Sequence, residues 1–581
     1  MLFSSPYPLT TLEAASLDDG TNTGKGVYDY IICGGGTAGC VLANRLSKNP
    51  AVKVLLLERG AARTAWATRV PLMSTNFMGD ESAAYRWPAE RPVGDARTLY
   101  LVTGKGLGGG SSINSMQYTR GSPAEYNLWS ENGRKGWSYA EVEPYLKRSE
   151  NFVNQSVPTE HHGTKGEWGV RDMGELYFPA ARSCVDACTA LGLPFAKDLN
   201  DPATPLTVCA KLDCTIDAKS HRCSTFNAFL PPKLVAQRKN LHICTGAAVT
   251  ALDLEVDSDG QKLVRGVSFQ ASESDSRTLH ARASKEVILC AGAIATPQIL
   301  LLSGIGPKDK VKEPLMEELP AVGQNLQDHM AMGIMYSVPT DHSLHIVQTS
   351  RLRAIVELFR YLAFGEGLFL SPVTQLSILV DSSLIDDSGH IVPRADTAPA
   401  KLPDLELMPI HFNYSDPPIP IEAGVFSLKV GLMRPRSRGT VHLASGDPLQ
   451  RPACDLAFLT DPADLAVMRK GIKLAKRIGE KMRELGTELK DLYMPESEAD
   501  ADLDAFVRKT VRTTYHYGCT ARMAPKSEGG VVDDELRVHG IQKLRIADCS
   551  ILPEMMSTHL QAPAVMIAER CADMLNLAHS T

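Results

Sequence analysis

The stretch YDYIICGGGTAGCVLANRLSKNPAVKVLLLE, at residues 28–58, decides the fold class of this 581-residue chain. Tyr28 to Cys33 form a short apolar run, which predicts a β-strand. The glycine-rich turn GGGTAG follows at once, and CVLANRLSKNP has the apolar spacing of a helix. A second apolar run, Val52 to Leu57, predicts another strand. The stretch therefore predicts the strand, turn, helix and strand of a Rossmann-like α/β domain.

The turn has the G-x-G-x-x-G spacing, with Gly34, Gly36 and Gly39 as its glycines and with Thr37 and Ala38 before the last one. In this motif the first glycine permits a tight turn, and the second lets the backbone approach a pyrophosphate. The third lets the helix pack closely on the strand. The helix that follows begins at the phosphates, where its N-terminus favours negative charge.

Glu58 stands 58 minus 39, or 19, residues after the last glycine of the motif, at the end of the second predicted strand. A carboxylate there can accept hydrogen bonds from both ribose hydroxyls, and it disfavours a 2′-phosphate. Glycines alone are also typical of a turn that binds nothing. Strand, helix and acid together predict a dinucleotide site, although they do not separate FAD from NAD.

Three further segments carry a family resemblance. They are TGKGLGGGSSINSMQYTRGSPAEYNLW at residues 103–129, GAIATPQILLLSGIG at residues 292–306, and LRVHGIQKLRIADCSILPEMMSTHLQAPAVMIAERCADML at residues 536–575. All three resemble segments of the glucose-methanol-choline (GMC) oxidoreductases, in that family's order. The resemblance covers nearly the whole chain, and it implies the GMC fold. This is an α/β fold with α+β elements, in which a Rossmann-like FAD-binding domain adjoins a substrate domain built on an antiparallel sheet.

The resemblance divides the chain into two discontinuous domains, which agrees with a length too great for one ordinary core. We expect the FAD-binding domain to comprise residues 27–70, 100–150, 240–330 and 515–581. We expect the substrate-binding domain to comprise residues 71–99, 151–239 and 331–514.

The resemblance also implies which residues bind the cofactor. Besides the glycine turn and Glu58, they are Gly104, Gly108, Gly109, Ser112, Asn114, Val249, Asp548, Cys549, His559 and Gln561. A Gly-Ser stretch lets backbone amides approach a flat ring and phosphates with no side chain in the way. Asn114 lies in the segment where some relatives carry a histidine joined covalently to the flavin. We therefore expect FAD to be bound noncovalently.

The reaction implied by the resemblance is oxidation of a primary alcohol to an aldehyde, with hydride transfer to flavin N5. A base must take the hydroxyl proton, and histidine suits that task near neutral pH. His516, in TTYHYGCTARM, matches the family's catalytic histidine, and His559 makes the site similar to that of aryl-alcohol oxidases. We expect His516 to be the general base and His559 to orient the alcohol and stabilise the developing alkoxide, although the roles can be exchanged.

One departure concerns the catalytic turn. The family commonly has His-Pro-x-Gly-Thr, whereas this chain has His-Tyr-Gly-Cys-Thr at residues 516–520. The local turn and the pocket wall are therefore expected to differ.

Composition excludes several classes of partner. A net charge of −6, with 44% hydrophobic and 22% charged residues, is typical of a globular protein and gives no overall polycation for nucleic acid or an anionic membrane. No apolar run reaches the roughly 18 residues of a membrane helix. The N-terminal residues lack the charged and apolar regions of a secretory signal, so we expect an intracellular, cytoplasmic protein. A mature secreted chain would have the same pattern.

Thirteen cysteines are an odd number in a large chain, which favours reduced thiols over a disulfide framework. Five of them lie closer together than the rest: Cys184, Cys188, Cys209, Cys214 and Cys223. Their spacings match no standard zinc pattern, so no metal is expected. The sequence leaves the oligomeric state open.

Alternatives to an alcohol oxidase remain at this point. The electron acceptor can be oxygen, or a quinone or dye in a dehydrogenase. Some members of the family are non-redox lyases or cyclases that keep FAD, and a flavoprotein without catalysis is a further alternative. With 19 methionines and 6% aromatic residues, the chain favours a modest apolar alcohol, such as one from secondary metabolism, over a sugar.

Overall fold

The computed structural model describes residues 7–17, 25–75, 80–94, 97–153, 160–272, 277–371, 374–394, 399–415 and 419–579. Its first large sheet has the strand order Leu241–Thr245, Val54–Glu58, Val27–Cys33, Leu279–Leu289, Lys262–Ala271 and Ala247–Val256. The first four of these strands are parallel, and the last three form an antiparallel meander. Two short strands, Leu544–Ile546 and Ile541–Gln542, join the sheet in parallel.

The predicted strand, turn, helix and strand unit is confirmed. The first strand is Val27–Cys33, the helix is Thr37–Leu46 and the second strand is Val54–Glu58. Cys33 lies opposite Leu57 on one side and Leu289 on the other, so the parallel strands end together. Ligands of doubly wound sheets bind at this carboxyl edge.

The second large sheet has the strand order Lys490–Tyr493, Met330–Val338, Gly424–Leu432, Leu405–Ile410, Leu376–Val380, Val208–Lys211 and Phe195–Ala196, and Arg512–Thr513 also pairs with Met330–Val338. Among the described strands of this sheet, Phe195–Ala196 and Val208–Lys211 pair in parallel, and the other neighbours pair antiparallel. The amphipathic helix Pro462–Glu484 packs on it through a buried face of apolar residues. The predicted α/β fold, with a Rossmann-like unit and an antiparallel second sheet, is confirmed.

Shorter elements connect the two sheets. A small sheet contains Gln117–Tyr118, Asp213–Cys214, Trp168–Asp172 and Glu150–Val153, and strand pairs form between Ala84–Pro88 and Tyr100–Gly104, Ile305–Gly306 and Glu317–Glu318, and Thr440–His442 and Ala453–Asp455. The remaining α-helices are Leu12–Ala15, Pro71–Ser74, Pro123–Glu131, Tyr139–Ser149, Pro179–Ala190, Thr225–Phe229, Pro232–Gln237, Gly292–Leu302, His345–Thr349, Arg351–Phe364, Asp500–Thr510 and Gln561–Ala578.

Each large sheet has its own apolar core. One core surrounds the first sheet and includes the helices Thr37–Leu46 and Gln561–Ala578, and the other lies between the second sheet and Pro462–Glu484. The exact domain boundaries given above stay predictions. Within the described ranges, no helix has the length and apolar character that crossing a bilayer requires.

Candidate active site

A cavity of about 1380 Å³ is lined by residues of both large sheets, among them Glu58 from the first and Lys429 from the second. The predicted site residues that line it are Gly34, Gly36, Thr37, Ala38, Glu58, Gly104, Gly109, Asn114, Val249, His516, Asp548, Cys549, His559 and Gln561. The fold therefore gathers into one cavity residues that are separated by up to several hundred positions in the chain.

Three predicted residues, Gly39, Gly108 and Ser112, shape the wall from behind without lining the cavity. A Cβ on Gly39 would lie 1.9 Å from the carbonyl oxygen of Gly34. Only glycine therefore allows the helix to approach the strand this closely. A Cβ on Gly108 would lie 2.2 Å from Oγ of Ser112. That hydroxyl donates to the carbonyl of Leu107 at 2.9 Å and fixes the turn.

Bare backbone faces part of the cavity. Gly110 and Gly292 both line it, and a Cβ added to either would have nothing within 4 Å. Gly109 has a φ of +49°, and a Cβ there would lie 2.9 Å from Cα of Gly36. These glycines leave room for a ligand to contact main-chain amides directly.

The Glu58 carboxylate is fixed by backbone amides. N–H of Gly35 donates to Oε2 at 2.8 Å, and N–H of Gly60 donates to Oε1 at 2.7 Å. Burial raises the pKa of Glu58, and these two amides oppose that shift. Each carboxylate oxygen can accept a further hydrogen bond, so both stay available to ribose hydroxyls.

Asp548 fixes the start of the helix Gly292–Leu302 at the cavity. Its Oδ2 accepts hydrogen bonds from N–H of Gly292 at 2.8 Å and from Oγ1 of Thr296 at 2.7 Å. Burial raises the pKa of Asp548. Its role here is to position the helix N-terminus, while Cys549 and Val249 add small side chains to the wall.

Asn114 and Gln561 join two walls of the cavity. Nδ2 of Asn114 donates to Oε1 of Gln561 at 2.8 Å, and Nε2 of Gln561 donates to the carbonyl of Gln117 at 2.6 Å. Arg222, which the sequence did not indicate, donates to Oδ1 of Asn114 at 2.9 Å and to the carbonyl of Ser111 at 3.1 Å. Burial lowers the pKa of Arg222 to about 9. This arginine holds the glycine-rich segment from below.

His516 and His559 lie side by side at the cavity wall. Their ring centroids are 4.7 Å apart, and the ring planes are inclined by 66°. The backbone N–H of His516 donates to Oδ1 of Asp328 at 2.8 Å, and the backbone N–H of His559 donates to Oγ1 of Thr119 at 3.0 Å. The fold thus brings together two histidines that are 559 minus 516, or 43, residues apart.

The turn after His516 differs from the family pattern in an identifiable way. Tyr517 takes the place of proline, and its hydroxyl oxygen accepts a hydrogen bond from N–H of Val102 at 3.2 Å. Cys519 has a φ of +69°, which is the left-handed region that glycine favours, and the family pattern has glycine there. Tyr517 thus ties the turn to the neighbouring strand Tyr100–Gly104.

His329 fixes which nitrogen of His516 carries the proton. Nε2 of His329 lies 2.8 Å from the carbonyl oxygen of Met556, which can only accept, so that nitrogen is protonated. Nδ1 of a neutral His329 is then an acceptor, and it lies 2.8 Å from Nδ1 of His516. Nδ1 of His516 must therefore donate, and its Nε2 keeps a free lone pair.

Thr514 supports the same assignment. Its hydroxyl donates to the carbonyl of His329 at 2.9 Å, so the oxygen acts as an acceptor towards Nδ1 of His516 at 3.1 Å. Two independent acceptors thus face one ring nitrogen. His329 is a partner of His516 that the sequence motifs did not indicate.

His559 has a carboxylate partner. Its Nε2 donates to Glu406, with Oε1 at 3.0 Å and Oε2 at 3.1 Å. The ammonium of Lys429 lies 3.6 Å from the same carboxylate, and Oγ of Ser377 donates to it at 2.8 Å. Burial alone would raise the pKa of Glu406, but His559 and Lys429 hold that pKa below its usual range. Glu406 therefore stays ionised and compensates a positive charge on the His559 ring.

The electrostatics of the two site histidines differ. Desolvation and then the charge of His559 lower the pKa of His516 well below 6.5. The same two causes lower the pKa of His329 to about 3. Burial raises the pKa of Asp328 to about 7, against the hydrogen bonds that it accepts. His516 is consequently a neutral acceptor, and its neighbour His559 has a carboxylate partner.

Other predicted features lie away from this site. The structure has all thirteen cysteines as free thiols, and Cys184, Cys188 and Cys209 lie together in the second core. In the described part of the chain, one group has a geometry that could hold a metal ion, and it consists of His162, Asp198 and Asp213. Both ring nitrogens of His162 are already hydrogen-bonded to carboxylates, so the group is an internal ion cluster.

The cavity fits FAD. Ionisable Glu58 sits at the end of the second parallel strand, the bare backbone of Gly110 and Gly292 can approach phosphates or a flat ring, and two histidines stand in the same cavity.

Comparison with known proteins gives consistent matches along the chain. Two profiles described as GMC oxidoreductase match residues 28–331 and residues 435–568. Oxygen-dependent choline dehydrogenase of Burkholderia cenocepacia is 34% identical over 558 residues, which cover 94% of this chain and 93% of that protein.

Two solved structures share the fold. An FAD-dependent oxidoreductase from Chaetomium thermophilum superimposes with a TM-score of 0.82 at 26% identity, covering 95% of this chain and 100% of that one. A formate oxidase from Aspergillus oryzae superimposes with a TM-score of 0.85 at 24% identity, covering 97% and 100%.

Proposed function

Because this chain belongs to the GMC oxidoreductase family, whose cofactor is FAD, we propose that it oxidises a primary alcohol to an aldehyde. It is an enzyme that acts on CH–OH groups. The observation that carries the proposal is the contact of His516 with His559 at the cavity wall, with one ring nitrogen of each already engaged. FAD, when bound in the cavity, supplies the acceptor for the hydride of the alcohol carbon.

His516 acts as the general base in this proposal. Its Nε2 has a free lone pair, because Nδ1 donates to His329 and Thr514. Its lowered pKa keeps the ring neutral through the physiological range, so the lone pair is present before the alcohol arrives. The alcohol proton moves to Nε2, and the proton on Nδ1 remains in its hydrogen bonds.

His559 stabilises the developing alkoxide. The Glu406 carboxylate compensates a positive charge on this ring, which suits a group that must face negative charge on oxygen. The buried ammonium of Lys429 adds a second cation behind the carboxylate. Exchange of the two roles is the alternative, since a histidine with a carboxylate partner can also act as a base.

The side chains lining the cavity favour an apolar alcohol over a sugar. Apolar side chains from the second sheet and from the segments around it line the cavity: Leu344, Val347, Phe369, Met408, Ile410 and Phe412. Such walls bury hydrocarbon well and offer few partners for the many hydroxyls of a sugar. An alcohol of secondary metabolism with a mostly apolar body fits this lining.

The charges that line the cavity disfavour choline, the substrate named for the bacterial relative. Lys429 and Arg512 both line the cavity and carry positive charge. A quaternary ammonium would be repelled by them and would gain little from Glu406, which already contacts His559 and Lys429. A neutral or anionic alcohol suits these charges better.

We propose oxygen as the electron acceptor, noncovalent FAD and an intracellular site of action. A quinone- or dye-linked dehydrogenase needs the same histidines, and so does a lyase or cyclase that uses them for acid-base chemistry alone. All four kinds of enzyme transfer a proton. Only the oxidase and the dehydrogenase also oxidise the substrate, whereas the lyase and the cyclase do not.

The test is anaerobic mixing of the purified holoenzyme with benzylic, allylic, aliphatic and sugar alcohols and with choline, while the visible flavin spectrum is recorded. We expect an apolar primary alcohol to bleach the flavin, and choline and glucose to leave it oxidised. His516→Ala should slow the bleaching by about a thousandfold, the range typical of a lost general base.

Three outcomes decide between the alternatives. Peroxide released in air after bleaching supports an oxidase, and turnover only with an added quinone or dye supports a dehydrogenase. A substrate that is converted without bleaching would establish a non-redox reaction and overturn the proposal. Yellow colour retained by acid-precipitated protein would show that FAD is covalent.

A further inference from the structure

The helix Arg351–Phe364 turns its apolar side chains outwards. Five of them are more than half exposed: Leu352 (73%), Ile355 (65%), Phe359 (64%), Leu362 (59%) and Phe364 (68%). Single exposed apolar residues are ordinary, but a contiguous set on one element marks a surface that another body covers. We call this surface, completed by Val356, the apolar face.

Arginines flank the apolar face. At about 100° per residue, the five positions of this face from Leu352 to Leu362 fall within an arc of about 120°, and Phe364, the last helical residue, lies outside that arc. Arg351 lies just beyond one edge of the arc, and Arg353 and Arg360 lie beyond the other. Apolar side chains bounded on both sides by arginine are typical of a helix that lies in the plane of a membrane surface.

The inner side of the helix is anchored by polar groups. Glu357 is fully buried, accepts a hydrogen bond from N–H of Leu368 at 2.9 Å and lies 2.9 Å from Arg353. The hydroxyl of Tyr361 donates to the carbonyl of Ser220 at 3.0 Å. The helix is thus held with its apolar face outwards. Because its own acid is buried inside, the exposed charges of the helix are arginines.

Two carboxylates lie beside these arginines. Buried Glu357 is 3.4 Å from Arg360 as well as 2.9 Å from Arg353, and exposed Glu366, just after the helix, is 4.0 Å from Arg360. On the outer surface, three arginines still face one exposed acid.

The size and position of the apolar face favour a bilayer over a protein. A helix of 14 residues is about 21 Å long, so its outer face offers a few hundred Å², whereas a stable protein interface buries about 800 Å² on each partner. The face also adjoins the cavity in the chain. Leu344 and Val347 before the helix, and Phe369 after it, all line the cavity.

We propose that the apolar face docks this enzyme on an anionic lipid bilayer, with its apolar side chains in the acyl region and Arg351, Arg353 and Arg360 at the phosphates. This surface binding requires no spanning helix. It does not depend on the reaction proposed above, and it would bring the segments that line the cavity close to the lipid.

The test is co-sedimentation of the flavin-loaded enzyme with phosphatidylcholine vesicles, with and without phosphatidylserine. We expect the wild type to sediment with the anionic vesicles. The double variant Leu352→Ser with Phe359→Ser should bind at least about tenfold more weakly, because two large side chains no longer leave water. Its flavin absorbance and its turnover of a water-soluble alcohol should stay unchanged.

Two further variants sharpen the test. Val256→Ser with Leu485→Ser removes two apolar side chains that are exposed elsewhere, and it should sediment like the wild type. Arg351→Glu should weaken binding to anionic vesicles by roughly fivefold or more and leave binding to pure phosphatidylcholine unaltered.

The proposal is overturned if the wild type stays in the supernatant with both kinds of vesicle, or if the double variant sediments as well as the wild type. Sedimentation velocity distinguishes binding to a bilayer from binding to a second copy of the chain. A dimer that the double variant abolishes, in an enzyme that ignores vesicles, would assign the apolar face to a second copy of the chain.

Discussion

His162 and His516 are two imidazoles that the fold withdraws from water, with opposite results. Nδ1 of His162 lies 2.9 Å from Glu150, and its Nε2 lies 3.0 Å from Asp198. Desolvation opposes protonation there, but the hydrogen bonds to Asp198 and Glu150 prevail and raise the pKa of His162 to about 9. This ring is a buried cation at neutral pH.

No carboxylate contacts the ring of His516 among the residues that the structure describes. Its neighbours are the rings of His329 and His559 and the hydroxyl of Thr514. Desolvation is then unopposed, and the pKa falls instead of rising. The comparison shows that the hydrogen-bonding partners of a buried histidine, and not burial itself, decide whether its ring is a structural cation or a neutral base.

The largest effect on this comparison is expected for His162→Gln, which keeps a hydrogen-bonding side chain and removes the charge. A pKa raised from 6.5 to about 9 in the folded protein corresponds to roughly 3 kcal/mol. That stabilisation is fully present below about pH 6.5 and is lost as the pH rises through about 9. The variant should therefore unfold more easily than the wild type at about pH 6, and the two should converge above about pH 9.

Thermal unfolding of the flavin-loaded proteins across this pH range measures the difference. His539→Gln is the matched control, since Nε2 of His539 donates to the carbonyl of Ala524 at 2.9 Å and forms no ion pair with a carboxylate in the part of the chain that the structure describes. A constant gap between wild type and His162→Gln at every pH would show that His162 is not a cation in the folded protein.

The next effect concerns Glu406, which among the described residues is the only carboxylate in contact with the ring of either site histidine. Glu406→Gln removes the negative charge beside His559 and leaves a group of nearly the same shape. With Lys429 no longer compensated, a positive charge on His559 becomes costly. We expect kcat/KM to fall by about thirtyfold, or about 2 kcal/mol of transition-state stabilisation.

The result also separates the two assignments of the base. If His559 stabilises the alkoxide, the variant should lose kcat while the activity below pH 6.5 persists, because that limb belongs to His516. A shift of the acidic limb in Glu406→Gln would instead identify His559 as the base. Glu286→Gln, which removes a buried carboxylate paired with Arg545 in the first sheet, controls for general loss of stability.

The sequence predicted the parts of the site that depend on short spacing. The turn from Gly34 to Gly39 and Glu58 belong to one local unit, so their positions in space follow from a strand, a turn and a helix. His516 and His559 were found through family resemblance, because 43 residues of intervening chain give no geometric reason for their contact.

The partners of the histidines could not be predicted in the same way. Glu406 and Lys429 lie on neighbouring strands of the second sheet, at positions in apolar runs that resemble any buried strand. Arg222 reaches Asn114 from a segment without a motif. Long-range strand register and side-chain direction decide these contacts, and neither is encoded in a short pattern.

The smallest effect is expected for His329→Phe, which keeps a buried ring of similar shape and removes the acceptor that faces His516. Nδ1 of His516 would still have Thr514 as an acceptor at 3.1 Å, so the productive tautomer is weakened and not abolished. We expect kcat/KM to fall by about tenfold or less, with KM nearly unchanged. The buried carbonyl of Met556 would also lose its donor, which should lower stability by about 1 to 3 kcal/mol.

The two consequences can be separated. Thr514→Val with His329→Phe removes both acceptors, and it should cost more in kcat than the two single variants together, because only then is Nδ1 of His516 without a partner that fixes the tautomer. If the double variant is merely additive in kcat and follows the loss of stability, the tautomer is set by another group. In that case His329 resembles His162 in being a structural histidine, and the contrast between the two regions would rest on charge alone.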